Sequence, residues 1–286
     1  MSGNDPDKHH FVPKCYLKRW AGPDKRVCEY QRPYKKVVAR RVHPDGTGYK
    51  RFLYAVPERP ADKINAVETG FLKPVDNDAS FCLDIFLVGG QIPDRLRSCW
   101  SRFIMRMMQG HPDRLAEFEK KARAAVQSDL TWHQAEWEKV RRPGDPESYR
   151  EALASLGSDA FSGFGARALP KLSDLKNVGQ VLNDLAWTIV RDWGSEEKLL
   201  TSDRPVITSN GLQRPDAHVL MPIGPSALFM ATAHADTRKN FLDQIVSGEF
   251  IPKLNHIVAC QAGQFVYGVD DGQLEFVEGR LGNAPS

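Results

Sequence analysis

Two stretches of β-type sequence flank a long helical middle in this 286-residue chain, and this order constrains its fold more than any other feature. The middle, residues 61–185, is clearest over 94–108, where apolar residues recur at the spacing of one helix face behind a first-turn proline, Pro93. These apolar residues are Leu96, Trp100, Phe103, Ile104 and Met107. Because strands and helices are segregated along the chain, the sequence predicts an α+β fold.

The β-type runs at the two ends suit antiparallel pairing. Near the front, residues 27–30 and 36–39 predict a hairpin with Pro33 in its turn, and another strand is expected at 51–56. Behind the helical middle, a meander is predicted from runs at residues 186–193, 199–201, 206–208, 219–222 and 227–232. The dipeptide Asp271-Gly272 predicts a last hairpin between strands at 264–269 and 273–277.

Further helices are expected in the middle and near the C-terminus. Their patterns cover residues 63–73, 80–88, 113–127, 131–141, 146–156, 236–247 and 251–262, with a loop at 157–165. We therefore predict one α+β domain over residues 9–278, in which the N-terminal hairpin joins the C-terminal meander in an antiparallel sheet and the helical middle packs to one side. A mobile leader (1–8) and a mobile tail (279–286) are expected beside it. The alternative is a helical domain flanked by two small β units.

Composition and motifs exclude several classes of protein. No stretch reaches the roughly 18 consecutive apolar residues of a membrane span, so no membrane partner is expected. The five cysteines are odd in number and scattered, and the N-terminus lacks the layout of a secretory signal, so a reduced, cytoplasmic location is expected. The sequence contains no phosphate-cradling Gly-x-x-x-x-Gly-Lys loop, no Gly-x-Gly-x-x-Gly and no Cys-x-x-Cys, so no nucleotide cofactor is expected.

Positive charge is concentrated at the front of the chain. Residues 1–60 contain 14 Lys and Arg against 6 Asp and Glu, a net charge of +8, whereas the other 226 residues contain 25 against 30, a net charge of −5. Aromatic residues stand among these cations, at Tyr16, Trp20, Tyr30 and Tyr34. This combination suits a polyanion whose bases stack on the rings, so nucleic acid is a candidate partner of the basic N-terminal region. A solvated basic surface is the alternative.

Two adjacent histidines, His9 and His10, open the most specific string of the sequence, which runs to Trp20. The string is a little like the opening of histidine-based nucleases, in which one histidine activates water and another binds a metal. Neighbouring side chains of an extended segment point to opposite faces, so we expect one histidine inside and one outside. The structural alternative is that the inner histidine bonds a backbone carbonyl and caps the helical turn at residues 16–20.

Two further strings place polar residues at chain breaks or beside apolar faces. Asp203 follows Ser202 at a strand end and precedes Arg204-Pro205. Its carboxylate is either free to orient a histidine or bind a cation, or it satisfies backbone N–H groups in an Asx turn. Asn255 borders the apolar face of a helix and either bonds neighbouring backbone or contacts a ligand.

Three arginines, Arg95, Arg102 and Arg106, form a stripe beside the apolar face of the helix at 94–108. Salt bridges to neighbouring helices are their favoured use, and a wall facing phosphate is the alternative.

These strings, in this order, make the chain resemble the bacterial family called domain of unknown function 4238 over His9 to about Asp270. The resemblance is carried by His9 to Trp20, Thr201 to Val206, Met221 to Pro225, Leu254-Asn255 and Val266-Tyr267. It implies a single-domain architecture and supports the choice of site residues, but it implies no reaction. The chain departs from the family at Lys14, where many members have Gln, and at Gln109 to Pro112, where many have an Arg shortly before the proline.

We expect His9 or His10, Tyr16, Asp203 and Asn255 to converge in one cleft, because unpartnered buried polar groups cost about 1–3 kcal/mol. The expected function is a hydrolase, specifically a metal-assisted or histidine-based phosphodiesterase or nuclease, with His9, His10 and Asp203 catalytic. The residues expected to bind substrate are Lys14, Tyr16, Ser202 and Asn255. His10 and Asp203 are the candidate ligands of a divalent metal ion. The alternative is a non-catalytic nucleic-acid or protein binding module in which the same polar cluster is a structural latch.

Overall fold

A computed structural model confirms the α+β class. It describes residues 7–56, 64–90, 92–128, 130–155, 161–191, 193–194, 196–209 and 211–283. The strands are β1 Lys8–His10, β2 Val27–Gln31, β3 Val38–Val42, β4 Tyr49–Arg51, β5 Ala186–Arg191, β6 Thr201–Ser202, β7 Ile207–Thr208, β8 His218–Gly224, β9 Ala227–Thr232 and β10 Phe265–Gly268. The helices are α1 Lys14–Leu17, α2 Lys73–Leu87, α3 Asp94–Gln109, α4 Pro112–Ser128, α5 Leu130–Val140, α6 Tyr149–Ser155, α7 Phe164–Ser173, α8 Lys176–Asp184, α9 Ala235–Val246, α10 Phe250–Gln261 and α11 Leu274–Glu278.

The N-terminal hairpin pairs with C-terminal strands in a four-stranded sheet of order β3-β2-β10-β6. Strand β10 lies antiparallel to β2, with Phe265 opposite Gln31 and Gly268 opposite Cys28. On its other edge, Val266 lies opposite Ser202 of β6. The N-terminal hairpin therefore joins C-terminal strands, as predicted, but of the predicted meander only β6 lies in this sheet, so the prediction of one common sheet is wrong.

The other C-terminal strands form a second antiparallel sheet of order β5-β9-β8-β7. Strands β8 and β9 are almost wholly buried because both of their faces are covered. Met221 and Phe229 point into a core shared with α2 and α3 of the helical middle. Leu220 and Met230 point into a second core shared with α10. The helical middle therefore packs on one side of this sheet, as predicted, and α10 covers the other side.

The helical middle contains the predicted amphipathic helix as α3, which buries Trp100, Phe103 and Ile104. The segments predicted as helices at 63–73 and 80–88 join instead, because a π-helical turn, Glu68–Leu72, runs directly into α2. Of the predicted loop at 157–165, residues 157–160 lie outside the described part of the chain, and α7 begins at Phe164. None of the described helices combines the length and apolar sequence that a membrane crossing needs.

Two strand predictions are wrong. Residues 273–277, predicted as the second strand of a hairpin, lie mostly in helix α11. Both edges of β10 are already occupied, by β2 and β6, so a hairpin partner after Asp271-Gly272 has no edge to join. The strand predicted at 51–56 is instead β4, which ends at Arg51 and pairs with β1; a turn follows, in which Phe52 has a φ of 56°.

The N-terminal segment is part of the core from its first strand onward. Phe11 and Trp20 are buried, as predicted. Trp20 Nε1 donates a hydrogen bond to the carbonyl of Leu199 at 2.7 Å, and the Phe11 ring lies 6.4 Å from that of Phe265. Of the predicted leader, residues 1–6 lie outside the described part, and so do residues 284–286 of the predicted tail.

Candidate active site

The two histidines of β1 have different surroundings but are both buried, so the prediction that one of them lies outside is wrong, because the His10 side is covered by α1 and α2. The His9 side chain is fully buried, and its Nδ1 accepts a hydrogen bond from the Tyr54 N–H at 2.8 Å. The His9 ring stacks on Tyr54 at 5.7 Å. His10 packs against Tyr49 and lines a cavity of about 430 Å³. His9 thus makes structural contacts in the core, but it does not cap the helical turn, because α1 has no side-chain cap.

The His10 cavity lies between β1, α1, the π-helical turn and α2, and its volume falls within the roughly 300–1,000 Å³ typical of small-molecule sites. Its rim carries four lysines, namely Lys8, Lys14, Lys18 and Lys73. Its wall contains Asn65, Glu68 and Asp76 beside His10. A buried imidazole, two carboxyl groups and several ammonium groups therefore face one space.

His10 is a neutral imidazole at physiological pH. Burial, assisted by the ammonium group of Lys14 and opposed by Asp45, lowers its pKa to about 4. Within the described part of the chain, Nε2 has no hydrogen-bond partner. The hydrogen bond between the His10 ring and the Asp45 backbone therefore involves the other ring nitrogen, Nδ1. This arrangement leaves the Nε2 lone pair available as a proton acceptor.

The two carboxyl groups of the cavity hold protons more tightly than usual. Burial raises the pKa of Glu68 to about 7, although the Arg106 guanidinium opposes the rise. Burial likewise raises the pKa of Asp76 to about 6 against the same guanidinium. Glu68 Oε2 has no hydrogen-bond partner among the described residues. Near neutral pH, Glu68 is therefore present in both its acid and its base form, which is the requirement for a proton donor.

Arg106 fixes the strand that carries His10. Its guanidinium is fully buried and donates from Nη2 to the His10 carbonyl at 2.6 Å and from Nη1 to the Phe11 carbonyl at 2.7 Å. Its Nε lies 3.3 Å from Asp76 Oδ1. The salt bridges predicted for the arginine stripe are present at Arg106 and, with Asp174, at Arg102. The role of Arg106 in holding backbone carbonyls was not predicted.

Lys14 lies within electrostatic reach of both His10 and Glu68. After burial, its ammonium group is the next cause that lowers the pKa of His10, and it also opposes the burial-driven rise for Glu68. Lys14 Nζ pairs with Asp45 Oδ1 at 2.8 Å, and both side chains are partly exposed. A cation in this position can meet a negatively charged group bound between His10 and Glu68.

Asp203 lies elsewhere, in a saturated structural site. Its carboxylate accepts the backbone N–H groups of Gly263, Gln264 and Phe265 at 2.8, 2.7 and 3.1 Å. Its Oδ2 is also 3.5 Å from His111 Nε2, and His111 Nδ1 accepts the Asp113 N–H at the start of α4. These contacts match the structural alternative, in which Asp203 satisfies backbone N–H groups, but the groups belong to the turn before β10.

The other predicted site residues also make core contacts. The Tyr16 hydroxyl lies 2.6 Å from both Thr201 Oγ1 and the Pro222 carbonyl, which accepts its proton. Asn255 Oδ1 accepts the Leu200 N–H, and its Nδ2 donates to the Lys198 carbonyl. Tyr16 and Asn255 thus contact the segment around β6, and neither they nor Ser202 and Asp203 line the His10 cavity. Of the predicted site residues, His10 and Lys14 line the cavity.

None of the sequence predictions covers the acidic half of the cavity, although the sequence contains a signal for it. Polar residues recur at helical spacing from the π-helical turn along α2, at Asn65, Glu68, Thr69, Lys73, Asp76, Asn77 and Ser80. Such a stripe is usually a solvated helix face, so its meaning depends on what packs opposite it. Here β1 and α1 pack opposite and convert the stripe into a cavity wall.

The metal prediction finds no support in the described side chains. They contain no group of three or more His, Cys, Asp or Glu placed to hold a metal ion. Of the two candidate ligands, His10 lines the cavity described above and Asp203 does not.

Comparison with known proteins yields one match. The model of a family described as "Protein of unknown function (DUF4238)" matches residues 8–272, well over half of the chain. No curated protein and no solved structure matches the chain. The chain therefore belongs to the DUF4238 family, in agreement with the resemblance found in its sequence strings.

Proposed function

We propose that this DUF4238 protein cleaves phosphodiester bonds by general acid–base catalysis in the His10 cavity. His10 acts as the general base and Glu68 as the general acid. The observation that carries the proposal is that a neutral histidine with an unpartnered Nε2 and a carboxyl group with a pKa of about 7 line the same lysine-rimmed cavity. Two titratable groups whose surroundings shift their pKa values apart are the usual signature of an acid–base pair.

The charges of the cavity favour a phosphate-bearing substrate. The four rim lysines outnumber the two carboxyl groups, whose raised pKa values also reduce their negative charge near neutral pH. Lysine is a common phosphate ligand, and a cation beside the reacting phosphate stabilises the charge that develops in the transition state. The net charge of +8 over residues 1–60 extends this attraction beyond the cavity toward a polyanion.

Arg106 and Asp76 are positioning residues in this proposal. Arg106 holds the His10 main chain, and Asp76 partly balances the charge of Arg106. Asp203, Tyr16 and Asn255 stabilise the fold, because their polar groups bond backbone or core side chains.

The second candidate function is binding of an anionic ligand without cleavage. It is favoured by the same lysine rim and by the extensive core contacts of Asp203, Tyr16 and Asn255, which correspond to a structural latch. In this case His10 Nε2 accepts a hydrogen bond from the ligand but no proton.

Cleavage assays distinguish the two candidates. The wild-type protein is incubated with end-labelled RNA and DNA oligonucleotides, with and without a chelator, beside His10→Asn and Glu68→Gln. Asparagine retains a donor for the Asp45 backbone but lacks a base at the Nε2 position. We expect each variant to lower kcat about 10²- to 10⁴-fold while it remains folded at the assay pH. The exposed residues His234 and Glu275, changed to Asn and Gln, are the matched controls.

Three outcomes are informative. Cleavage that both variants lose and both controls keep supports the acid–base proposal. Binding of an oligonucleotide without cleavage by the wild type supports the second candidate. Neither binding nor cleavage contradicts both.

A further inference from the structure

We propose that the substrate of the His10 cavity is RNA and that the attacking group is the 2′-hydroxyl of the RNA itself. This inference rests on the proposed function and names its substrate class. Three features of the cavity support it. They are its hydrogen-bond acceptors without partners, the low reactivity of its own thiol and hydroxyl groups, and the protonation states of His10 and Glu68.

The cavity offers hydrogen-bond acceptors that a phosphate cannot satisfy. Among the described residues, His10 Nε2, Asn65 Oδ1 and Glu68 Oε2 are buried atoms without a hydrogen-bond partner. Phosphodiester oxygens only accept hydrogen bonds, so they suit the lysines but not His10 Nε2 or Asn65 Oδ1. The ligand that fits must carry negative charge and also donate hydrogen bonds.

A ribonucleotide meets both requirements at the reacting position. Its 2′-hydroxyl is a donor next to the phosphodiester, whereas the sugar of DNA has no donor there. An imidazole with a free lone pair and an amide oxygen without a donor are the partners that such a hydroxyl needs. The combination of acceptors and lysines in one cavity therefore favours RNA over DNA.

Two nucleophilic side chains that line the cavity, Cys15 and Thr69, are in an unreactive state. Burial raises the pKa of Cys15 to about 12, so its side chain is a thiol, and its Sγ donates to the Asp76 carbonyl. The Thr69 hydroxyl donates to the Asn65 carbonyl. Neither residue is bonded to His10, which is the base that would have to activate it. An attacking hydroxyl brought by the substrate removes the need for a nucleophile from the protein.

The reaction then balances without any further reactant. His10 Nε2 takes the proton of the 2′-hydroxyl while the 2′ oxygen forms a bond to phosphorus. The bond from phosphorus to the 5′ oxygen of the next nucleotide breaks, and Glu68 gives its proton to that oxygen. The products are a 2′,3′-cyclic phosphate and a 5′-hydroxyl. The pKa is about 4 for His10 and about 7 for Glu68. At a pH between these two values, protonated His10 therefore releases its proton to water and ionised Glu68 takes up a proton, which restores both groups for the next turnover.

The test uses four oligonucleotides of one sequence with the full-length protein. They are all-RNA, all-DNA, DNA with a single ribonucleotide, and RNA with one 2′-O-methyl group. We expect cleavage of the all-RNA strand, cleavage of the chimera only after its ribonucleotide, and no cleavage of DNA or after the methylated residue. Mass spectrometry should find 2′,3′-cyclic phosphate ends that contain no oxygen from ¹⁸O-labelled water.

A variant tests the acceptor argument directly. Asn65→Leu keeps the approximate side-chain shape but removes the amide oxygen, and we expect kcat/KM for RNA to fall about tenfold. The exposed residue Asn240, changed to Leu, is the matched control. An unchanged kcat/KM in Asn65→Leu contradicts the role of Asn65 as the partner of the hydroxyl.

The failure of this inference differs from the failure of the proposed function. Equal cleavage of DNA and RNA, or 5′-phosphate ends that carry labelled oxygen beside free 3′-hydroxyl ends, overturns attack by the 2′-hydroxyl and leaves acid–base phosphodiester cleavage standing. No cleavage of any strand by the wild type overturns both.

Discussion

Arg106 donates a hydrogen bond from Nη2 to the main-chain carbonyl of His10 at 2.6 Å, and it does so from a fully buried position on α3. The same guanidinium also holds the Phe11 carbonyl and pairs with Asp76 on α2. Three elements that are distant in sequence therefore meet on one side chain directly behind the cavity. Such a contact fixes the histidine before a ligand binds, which a preorganised site requires.

Replacing Arg106 should strongly destabilise the protein. We expect Arg106→Gln to lower the free energy of unfolding by about 3–5 kcal/mol, because Asp76 loses its buried partner and two backbone carbonyls lose their donor. Urea denaturation measures the change. Arg102→Gln is the matched control, since Arg102 forms a largely exposed pair with Asp174 and should cost no more than about 1 kcal/mol. Equal losses of unfolding free energy in the two variants would contradict the structural role of the buried Arg106 contacts.

The raised pKa of Glu68 makes stability depend on pH. Its folded value of about 7 lies above its ordinary 4.5, so the folded state favours the protonated form. Its contribution to stability is therefore complete below about pH 4.5 and is lost as the pH rises through 7. We expect Glu68→Gln to remove a decline on the order of 2 kcal/mol between pH 4.5 and 8, measured by urea denaturation at several pH values. If the free energy of unfolding depends on pH in the same way in Glu68→Gln, in the control Glu275→Gln and in the wild type, Glu68 has an ordinary pKa.

Asp203 should matter for stability and not for chemistry. Asp203→Asn places an amide NH₂ group opposite backbone N–H donors of the turn before β10, so we expect a loss of about 2–5 kcal/mol. Any activity per folded molecule should remain within a factor of about 3 of the wild type, because Asp203 does not line the cavity. The exposed residue Asp216, which pairs with Arg214, is the control for an aspartate without buried partners. Loss of activity without loss of stability would restore Asp203 as a catalytic residue.

The N-terminal arm should be required for folding. Removal of residues 1–20 deletes Phe11, Tyr16 and Trp20, each of which is buried and contributes on the order of 2–3 kcal/mol. It also deletes the bonds of Tyr16 and Trp20 to the C-terminal strands and the segment between them. We expect this truncation to yield no cooperative unfolding transition in circular dichroism. A soluble truncated protein with an unchanged midpoint would make the arm an appendage.

The fold was largely accessible from sequence because its determinants are local. The periodicity of residues 94–108 predicts α3 nearly to the residue, and the order of β-type and helical segments predicts the α+β class. The strand predicted at 273–277 failed because strand pairing is decided by which edges are free. Asp271-Gly272 precedes a helix and not a strand because β2 and β6 occupy both edges of β10.

Only half of the candidate site could be predicted from the sequence, because the other half depends on tertiary contacts. His10 and Lys14 carry a signal in their own string, whereas Asp203 and Asn255 were grouped with them because buried polar residues need partners. The structure supplies those partners from the backbone instead. Glu68 and Asp76 lie on a helical stripe that sequence alone does not distinguish from a solvated face. Their altered pKa values arise from burial against β1 and α1, which only the tertiary structure provides.

The most direct test of the central claim is the pH dependence of kcat/KM for cleavage of an RNA oligonucleotide. With His10 as base and Glu68 as acid, we expect a bell-shaped profile with limbs near the pKa values of about 4 and about 7. In Glu68→Gln the residual activity should lose the limb near 7, because the group that must be protonated is gone. A wild-type protein that cleaves with the same pH profile as Glu68→Gln, or that does not cleave RNA at any pH, would contradict the account.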